Sequence, residues 1–170
     1  LENGLEDHSY PLYELAVSDP DSCDDPVTAL LVVSVGVLSA TNTTSAVVTG
    51  NGTAIVDIVG PASGVSAVLS SMSLEPPADF WGGVSLELYV VDNGHNGTGG
   101  EGSDFAVFMV PILPVNDEPV AVIPNPFVDI PVGEGYVVIP GFASIIIPGP
   151  ANESDQSVFF VLDSVSNPSV

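Results

Sequence analysis

The sequence contains no lysine and no arginine, whereas it contains 22 aspartate and glutamate residues, so its formal charge is −22. A carboxylate here has no basic side chain of the same chain to pair with. It must be solvated, hydrogen-bonded to backbone amides or bound to a cation. The same absence argues against binding of DNA or RNA and of anionic membrane surfaces, because both require cationic side chains. We expect Ca²⁺ as the positive partner, with plain solvation as the alternative.

The chain is also poor in residues that carry catalysis or disulfides. Cys23 is the single cysteine, so no disulfide forms within the chain; it is either a buried thiol or pairs with a cysteine elsewhere. His8 and His95 lie in acidic or glycine-rich segments without a partner for nucleophilic catalysis, and two histidines with one cysteine make a poor zinc site. The longest apolar run, 29–33 with an extension to Leu38, is too short to cross a bilayer. We therefore expect neither an enzyme nor direct membrane insertion.

Two features bear on where the protein works. The chain begins at Leu1 without a methionine or a basic-then-apolar leader and stops at Val170 in mid-pattern, so we expect a segment of a longer protein or a processed product. Asn-x-Ser/Thr sequons, which accept N-linked glycans, occur at Asn42, Asn51, Asn96 and Asn152. They favour a secreted, extracellular or cell-surface glycoprotein; the alternative is that the sequons are unused.

Alternating apolar and polar residues recur along the chain, and no convincing helical stripe does. In the segment 84–91, Val84, Leu86 and Leu88 point one way, whereas Ser85 and Glu87 point the other. Turn-forming clusters rich in Gly, Pro, Asn and Asp separate the segments. The candidate strands are Leu12–Val17, Ala29–Val37, Ala46–Val48, Ala54–Val59, Val65–Leu74, Val84–Val91 and Phe105–Leu113. About seven strands at this spacing predict an all-β fold, an antiparallel β-sandwich.

A connector lies at Pro114–Pro119, where two prolines bracket acidic residues and predict a stiff, extended link. Strand-like segments then restart at Val120–Ile123, Phe127–Val132, Tyr136–Ile139, Ala143–Ile147 and Val158–Leu162. Too few residues follow Pro119 for a complete sandwich of roughly 100 residues. We therefore expect a first domain at 1–116 and the start of a second, incomplete domain at 117–170.

In order and spacing, these segments resemble the cadherin-like and immunoglobulin-like tandem repeats of large surface and filament proteins. The resemblance covers about residues 5–119 and rests on Glu6-Asp7, Leu15–Asp21, Val35–Leu38, Leu74–Gly82, Val90–Gly94 and Val115–Pro119. Two later segments, Val132–Glu134 and Pro148–Gln156, look like the opening of a related repeat.

The resemblance implies calcium, because acidic residues at the ends of cadherin-like repeats bind Ca²⁺ between neighbours and stiffen the rod. By position it implies that Glu6, Asn116 and Asp117 are calcium ligands that face a following domain. It likewise implies that Asp19, Asp21 and Asp92 are ligands that face a preceding domain. Ca²⁺ takes six to eight hard oxygen ligands, which such residues offer. The alternative is that Asp19–Asp21 and Asp92–Gly94 are turns in which side chains cap backbone amides.

We expect a structural repeat module of a secreted, glycosylated filament, appendage or adhesin, whose partners are neighbouring repeats and copies of itself in a polymer. A calcium-dependent adhesion or ligand-binding receptor domain and an accessory module of a large secreted enzyme are the alternatives. Because the modules carry like charge, their assembly should strengthen with ionic strength.

Overall fold

The computed structural model describes residues 3–20, 24–94, 100–124, 127–129, 133, 135, 137–143, 145–161 and 164. Within these residues the protein is mostly β, in agreement with the predicted all-β class. The chain divides into two compact units, Leu1–Val115 (unit 1) and Asn116–Val170 (unit 2).

Unit 1 contains nine strands and one helix among its described residues. The strands are β1 (Gly4–Leu5), β2 (Tyr10–Pro11), β3 (Pro26–Val33), β4 (Val37–Ala40), β5 (Val47–Thr49), β6 (Ile55–Pro61), β7 (Met72–Glu75), β8 (Gly82–Val91) and β9 (Ser103–Leu113), and the helix is α1 (Ala62–Leu69). They form a six-stranded sheet in the order β1-β9-β8-β3-β6-β5 and a three-stranded sheet in the order β2-β7-β4. All pairs are antiparallel except β1 with β9, which is parallel.

Both sheets and the helix contribute to a single hydrophobic core. Alternate residues of β3, from Val27 to Val33, are buried, and the residues between them are only partly buried. Strand β8 behaves as its sequence predicts, because Val84, Leu86 and Leu88 are buried while Glu87 is exposed. The two-residue period of these strands is therefore what creates the core.

The predicted strand Val65–Leu74 is wrong over most of its length. Helix α1 occupies Ala62–Leu69, and strand β7 begins only at Met72. The buried residues Val65, Val68 and Leu69 follow the three- and four-residue spacing of a helix face. The β-branched side chains of Val65 and Val68 obscured this spacing because they favour strands. The helix has eight residues, and no helix in the described part of the chain is long and apolar enough to span a bilayer.

Two further strand predictions need correction. Leu12–Val17 is not a strand; Leu12 and Leu15 are buried from a turn in which the Leu15 amide donates to the Leu12 carbonyl at 3.3 Å. The predicted strand Ala29–Val37 is two strands, β3 and β4, separated by a turn in which Gly36 has a φ of +91°. That backbone region favours glycine, so Gly36 is the residue that permits the break.

Unit 2 contains two short antiparallel strands, β10 (Val120–Val122) and β11 (Ile145–Ile147), and a 3₁₀ turn at Ala151–Glu153. The described parts of three predicted strands, 127–129, 137–139 and 158–161, are not in strands. The remaining residues of those predictions, with Glu134, lie outside the described residues. That unit 2 is an incomplete second domain stays a prediction.

Candidate metal-binding site

Glu6 is held at the end of β1, where it is fully buried. Its amide donates to the Leu113 carbonyl at 2.9 Å, and its Oε1 accepts the Val115 amide at 2.7 Å. The Nδ1–H of His8 donates to the Glu6 carbonyl at 2.9 Å. Since the chain has no lysine or arginine, the backbone N–H of Val115 takes the place of a basic partner at this carboxylate. Glu6, predicted as a calcium ligand, therefore also fixes the last residue of unit 1.

Asp7 and Asp79 form an acidic pair in unit 1 that the sequence analysis did not propose. Asp7 Oδ1 accepts the Asp79 amide at 2.9 Å, and carboxylate oxygens of the two residues lie within 4.8 Å of each other. Both side chains are exposed, and both backbones are in the left-handed region, with φ of 59° and 56°. Asp79 lies inside the segment Leu74–Gly82 that carried the resemblance. The sequence therefore drew attention to this segment, but it did not predict the contact between Asp79 and Asp7.

Asp19 and Asp92 line one recess of unit 1, about 160 Å³ in volume, together with Asp104. Asp92 Oδ1 accepts two backbone amides, from Gly94 and from Gly102, each at 2.8 Å. This is the turn-capping arrangement that was the alternative to a metal ligand, although the two roles are compatible because a carboxylate has several acceptor sites. Asp21, predicted beside Asp19, lies outside the described residues.

Asn116 and Asp117 are held within unit 2 by the 3₁₀ turn and the residues after it. The Asp117 amide donates to Glu153 Oε1 at 3.1 Å, and Gln156 Nε2 donates to Asn116 Oδ1 at 3.2 Å. Glu153 is 6% exposed, and its Oε2 atom is buried without a hydrogen-bond partner among the described residues. That oxygen packs against Gly149, where a larger residue would collide with it. The sequence analysis did not single out Glu153.

The donor set suits a hard cation such as Ca²⁺, which binds carboxylate and carbonyl oxygens. In unit 1 the exposed pair Asp7 and Asp79 brings two carboxylates close together without desolvating either. In unit 2, the buried Oε2 of Glu153 is an anionic atom that a cation would stabilise. Among the described residues of unit 1, the pair supplies two carboxylates, so carbonyl oxygens or water must complete the coordination of an ion bound there.

Asn42, the first sequon asparagine, sits in a local hydrogen-bonded turn and is half-buried. Its Oδ1 accepts the Thr44 amide and hydroxyl, both at 3.2 Å, and its Nδ2 donates to Ser45 Oγ at 2.9 Å. Nδ2 also donates to the Ala67 carbonyl of α1 at 3.5 Å, so a sugar on Nδ2 would displace one of its two hydrogen bonds.

Asn51 is exposed, but its side chain binds the backbone of β4. Oδ1 accepts the Ala40 amide at 2.7 Å, and Nδ2 donates to the Ala40 carbonyl at 3.2 Å. This paired contact uses the amide hydrogen on the same side as Oδ1, which is the position that a glycan takes in the planar N-linked amide. A glycan on Asn51 would therefore break its contact with Ala40. Asn152 is half-buried in the 3₁₀ turn, and Asn96 lies outside the described residues.

No family model matches the chain, and no curated protein and no solved structure is significantly similar to it.

Proposed function

We propose that the chain is a structural module of a secreted, glycosylated extracellular filament, appendage or adhesin, in which cadherin-like or immunoglobulin-like β-sandwich repeats follow one another in tandem. Unit 1 supports this proposal with two sheets that share one core and with a second compact unit following it directly in the chain. Its partners in this role are neighbouring repeats and copies of the same chain.

The bond between Glu6 and Val115 is the observation that carries the proposal. Burying a carboxylate is costly unless hydrogen bonds compensate for its lost hydration. Here the compensation comes from the amide of the residue at which unit 1 ends, 109 positions along the chain. A module that transmits force needs its two ends attached to the same rigid body. Glu6 provides that attachment, since β1 pairs with β9 and the Glu6 side chain binds the residue two after the end of β9.

Calcium has a defined place in this proposal. Ca²⁺ would neutralise part of the acidic charge at the Asp7–Asp79 pair of unit 1, and at Asp117 and Glu153 of unit 2. The predicted ligands Glu6, Asp19, Asp92 and Asn116 would contribute from their own units. N-linked glycans at Asn42 and the other sequons would cover the surface of the module.

Labelling of intact cells tests the proposal. An antibody raised against the recombinant chain is applied to the source cells with and without permeabilisation. A structural module of a surface filament predicts labelling of unpermeabilised cells along extended structures. Labelling that appears only after permeabilisation would contradict an extracellular role. Punctate surface labelling without extended structures, lost on chelation, would favour the receptor alternative.

A further inference from the structure

The six-stranded sheet of unit 1 is apolar on both faces, and the face away from the core is exposed. In an antiparallel sheet, one face commonly packs on the core and the other is polar and solvated. The exposed fractions of the large apolar side chains on this second face are 54% for Ile55, 41% for Tyr89, 53% for Phe105, 52% for Val107 and 62% for Met109. We call this surface, formed by the outward residues of β6, β3, β8 and β9, the outer face.

The strand register arranges these side chains in adjoining rows across the sheet. One row is Asp57, Leu30, Tyr89 and Phe105, and the next is Ile55, Val32, Glu87 and Val107. Met109 extends the patch, because its side chain lies over Gly83, which has no side chain of its own. The apolar residues are therefore contiguous rather than scattered, and a contiguous exposed apolar patch marks an interaction site.

The charge distribution indicates which partner fits. The chain carries 22 acidic residues and no lysine or arginine, and only Asp57 and Glu87 of these acids lie in the two rows. The β9 side of the outer face, from Phe105 to Leu113, contains no acid. A second copy of the chain brings no lysine or arginine to a contact, so it can approach with least repulsion through this part of the face. A protein rich in lysine or arginine would find stronger attraction at the acidic parts of the surface than here.

The planar area of the outer face is about half of the area that each partner buries in a stable interface. The shortest of its four strands, β6, has seven residues. Four strands spaced ~4.8 Å apart, each with seven residues rising ~3.4 Å, present roughly 450 Å² of planar sheet. Side-chain relief and the flanking residues Leu5 and Leu113, both exposed, enlarge the accessible area toward the ~800 Å² per partner of a stable interface.

We propose that the outer face packs against the outer face of a second copy of this chain, as two sheets stacked ~10 Å apart. The inference rests on the proposed function, for which it identifies one lateral contact between copies. Tyr89 on β8 and Phe105, Val107 and Met109 on β9 contribute large exposed apolar side chains to this contact.

Sedimentation velocity of the recombinant chain tests the contact over a range of protein and NaCl concentrations. We expect a dimer whose population rises with salt, because salt screens the repulsion between two chains of charge −22. Val107→Glu, which adds a charge to the acid-free β9 side of the face, should weaken dimerisation at least about tenfold. Tyr13→Glu is the matched control: Tyr13 is 73% exposed but lies off the six-stranded sheet, so this variant should dimerise like the wild type. Circular dichroism and melting curves establish that both variants are folded.

The two methionines of the chain supply an internal footprint. Met109 is 62% exposed on the outer face, whereas Met72 is 1% exposed in the core. Mild peroxide should oxidise Met109 in the monomer and spare it in the dimer, while Met72 stays protected in both. A monomer at every salt concentration, or a dimer in which Met109 oxidises as fast as in the monomer, would overturn the proposal and leave the face to a partner of different sequence. Labelling of intact cells does not depend on this contact, so the two proposals fail separately.

Discussion

The Glu6 side chain accepts the backbone N–H of Val115 at 2.7 Å, which joins the first strand of unit 1 to its last residue. In unit 2, Glu153 makes the same kind of bond, to the amide of Asp117 at 3.1 Å. Both glutamates are buried. In the predicted connector at Pro114–Pro119, the amides of Val115 and Asp117 each donate a hydrogen bond to one of these carboxylates. Each unit therefore hydrogen-bonds its own end of the predicted connector.

Replacing Glu6 by alanine should lower the free energy of unfolding by about 2 kcal/mol, because the partly buried Val115 amide loses its acceptor. Glu6→Gln keeps a carbonyl oxygen for that amide and should cost less. Urea denaturation measures both variants, with Glu101→Ala, at an exposed position, as a control expected to stay within about 0.5 kcal/mol of the wild type. Equal stability of Glu6→Ala and the wild type would show that the bond does not hold unit 1 together.

Ser66→Ala should lower stability by about 1–2 kcal/mol. The Ser66 hydroxyl donates to the Val17 carbonyl at 2.7 Å and accepts the Val17 amide at 2.9 Å, so it attaches α1 to the segment before β3. Ser70→Ala removes an exposed hydroxyl from the residue after the same helix and should change stability by less than about 0.5 kcal/mol. If the two variants had equal melting temperatures, the hydrogen bonds between Ser66 and Val17 would not contribute to stability.

Asp7→Asn and Asp79→Asn should each weaken Ca²⁺ binding by at least about tenfold, since the number of carboxylate charges sets calcium affinity. Asparagine tolerates the left-handed backbone of both residues and can still accept a hydrogen bond, so these variants test the charge rather than the fold. Isothermal titration calorimetry measures the affinity, with Glu101→Gln as the matched control. Absence of saturable binding in the wild type, or unchanged affinity in both variants, would remove calcium from this pair.

Asn51→Ala should destabilise unit 1 by about 1–2 kcal/mol, because the Ala40 amide and carbonyl both lose their side-chain partner. Asn51→Asp retains the acceptor for the Ala40 amide and should lie between alanine and the wild type. Melting temperatures check this order, at about 4 °C per kcal/mol for a unit of this size. Aspartate behaving like alanine would show that the Ala40 carbonyl, rather than its amide, is the important contact.

The sequence predicted the strands that have a strict two-residue period and missed the elements decided by packing. The alternation in β8 and the apolar length of β9 were sufficient to place both strands. Helix α1 was missed because Val65 and Val68 have high strand propensity, and tertiary burial of a helical face overrode that preference. Leu12 and Leu15 are also buried, but they flank a turn that no local sequence pattern predicts.

The candidate site was predictable by residue type and not by contact. Glu6 was predicted as a ligand because the Glu6-Asp7 pair resembles the opening of cadherin-like repeats. Its bond to Val115 spans 109 positions, and it could be inferred only once the pairing of β1 with β9 was known. The Asp7–Asp79 contact spans 72 positions, so it too depends on the tertiary fold and not on spacing along the chain. Glu153 was hidden because its burial depends on Gly149, which leaves room for the carboxylate. Spacing along the chain carries no information about such pairs until the topology is known.

Cryo-electron microscopy of the native material, isolated with an antibody against this chain and imaged with and without a calcium chelator, tests the central claim most directly. A filament module should give regular extended polymers in which density for this sequence repeats, with sugar density at Asn42 and a change of shape after chelation. Dispersed particles without polymer order, unchanged by the chelator and free of sugar density, would contradict it.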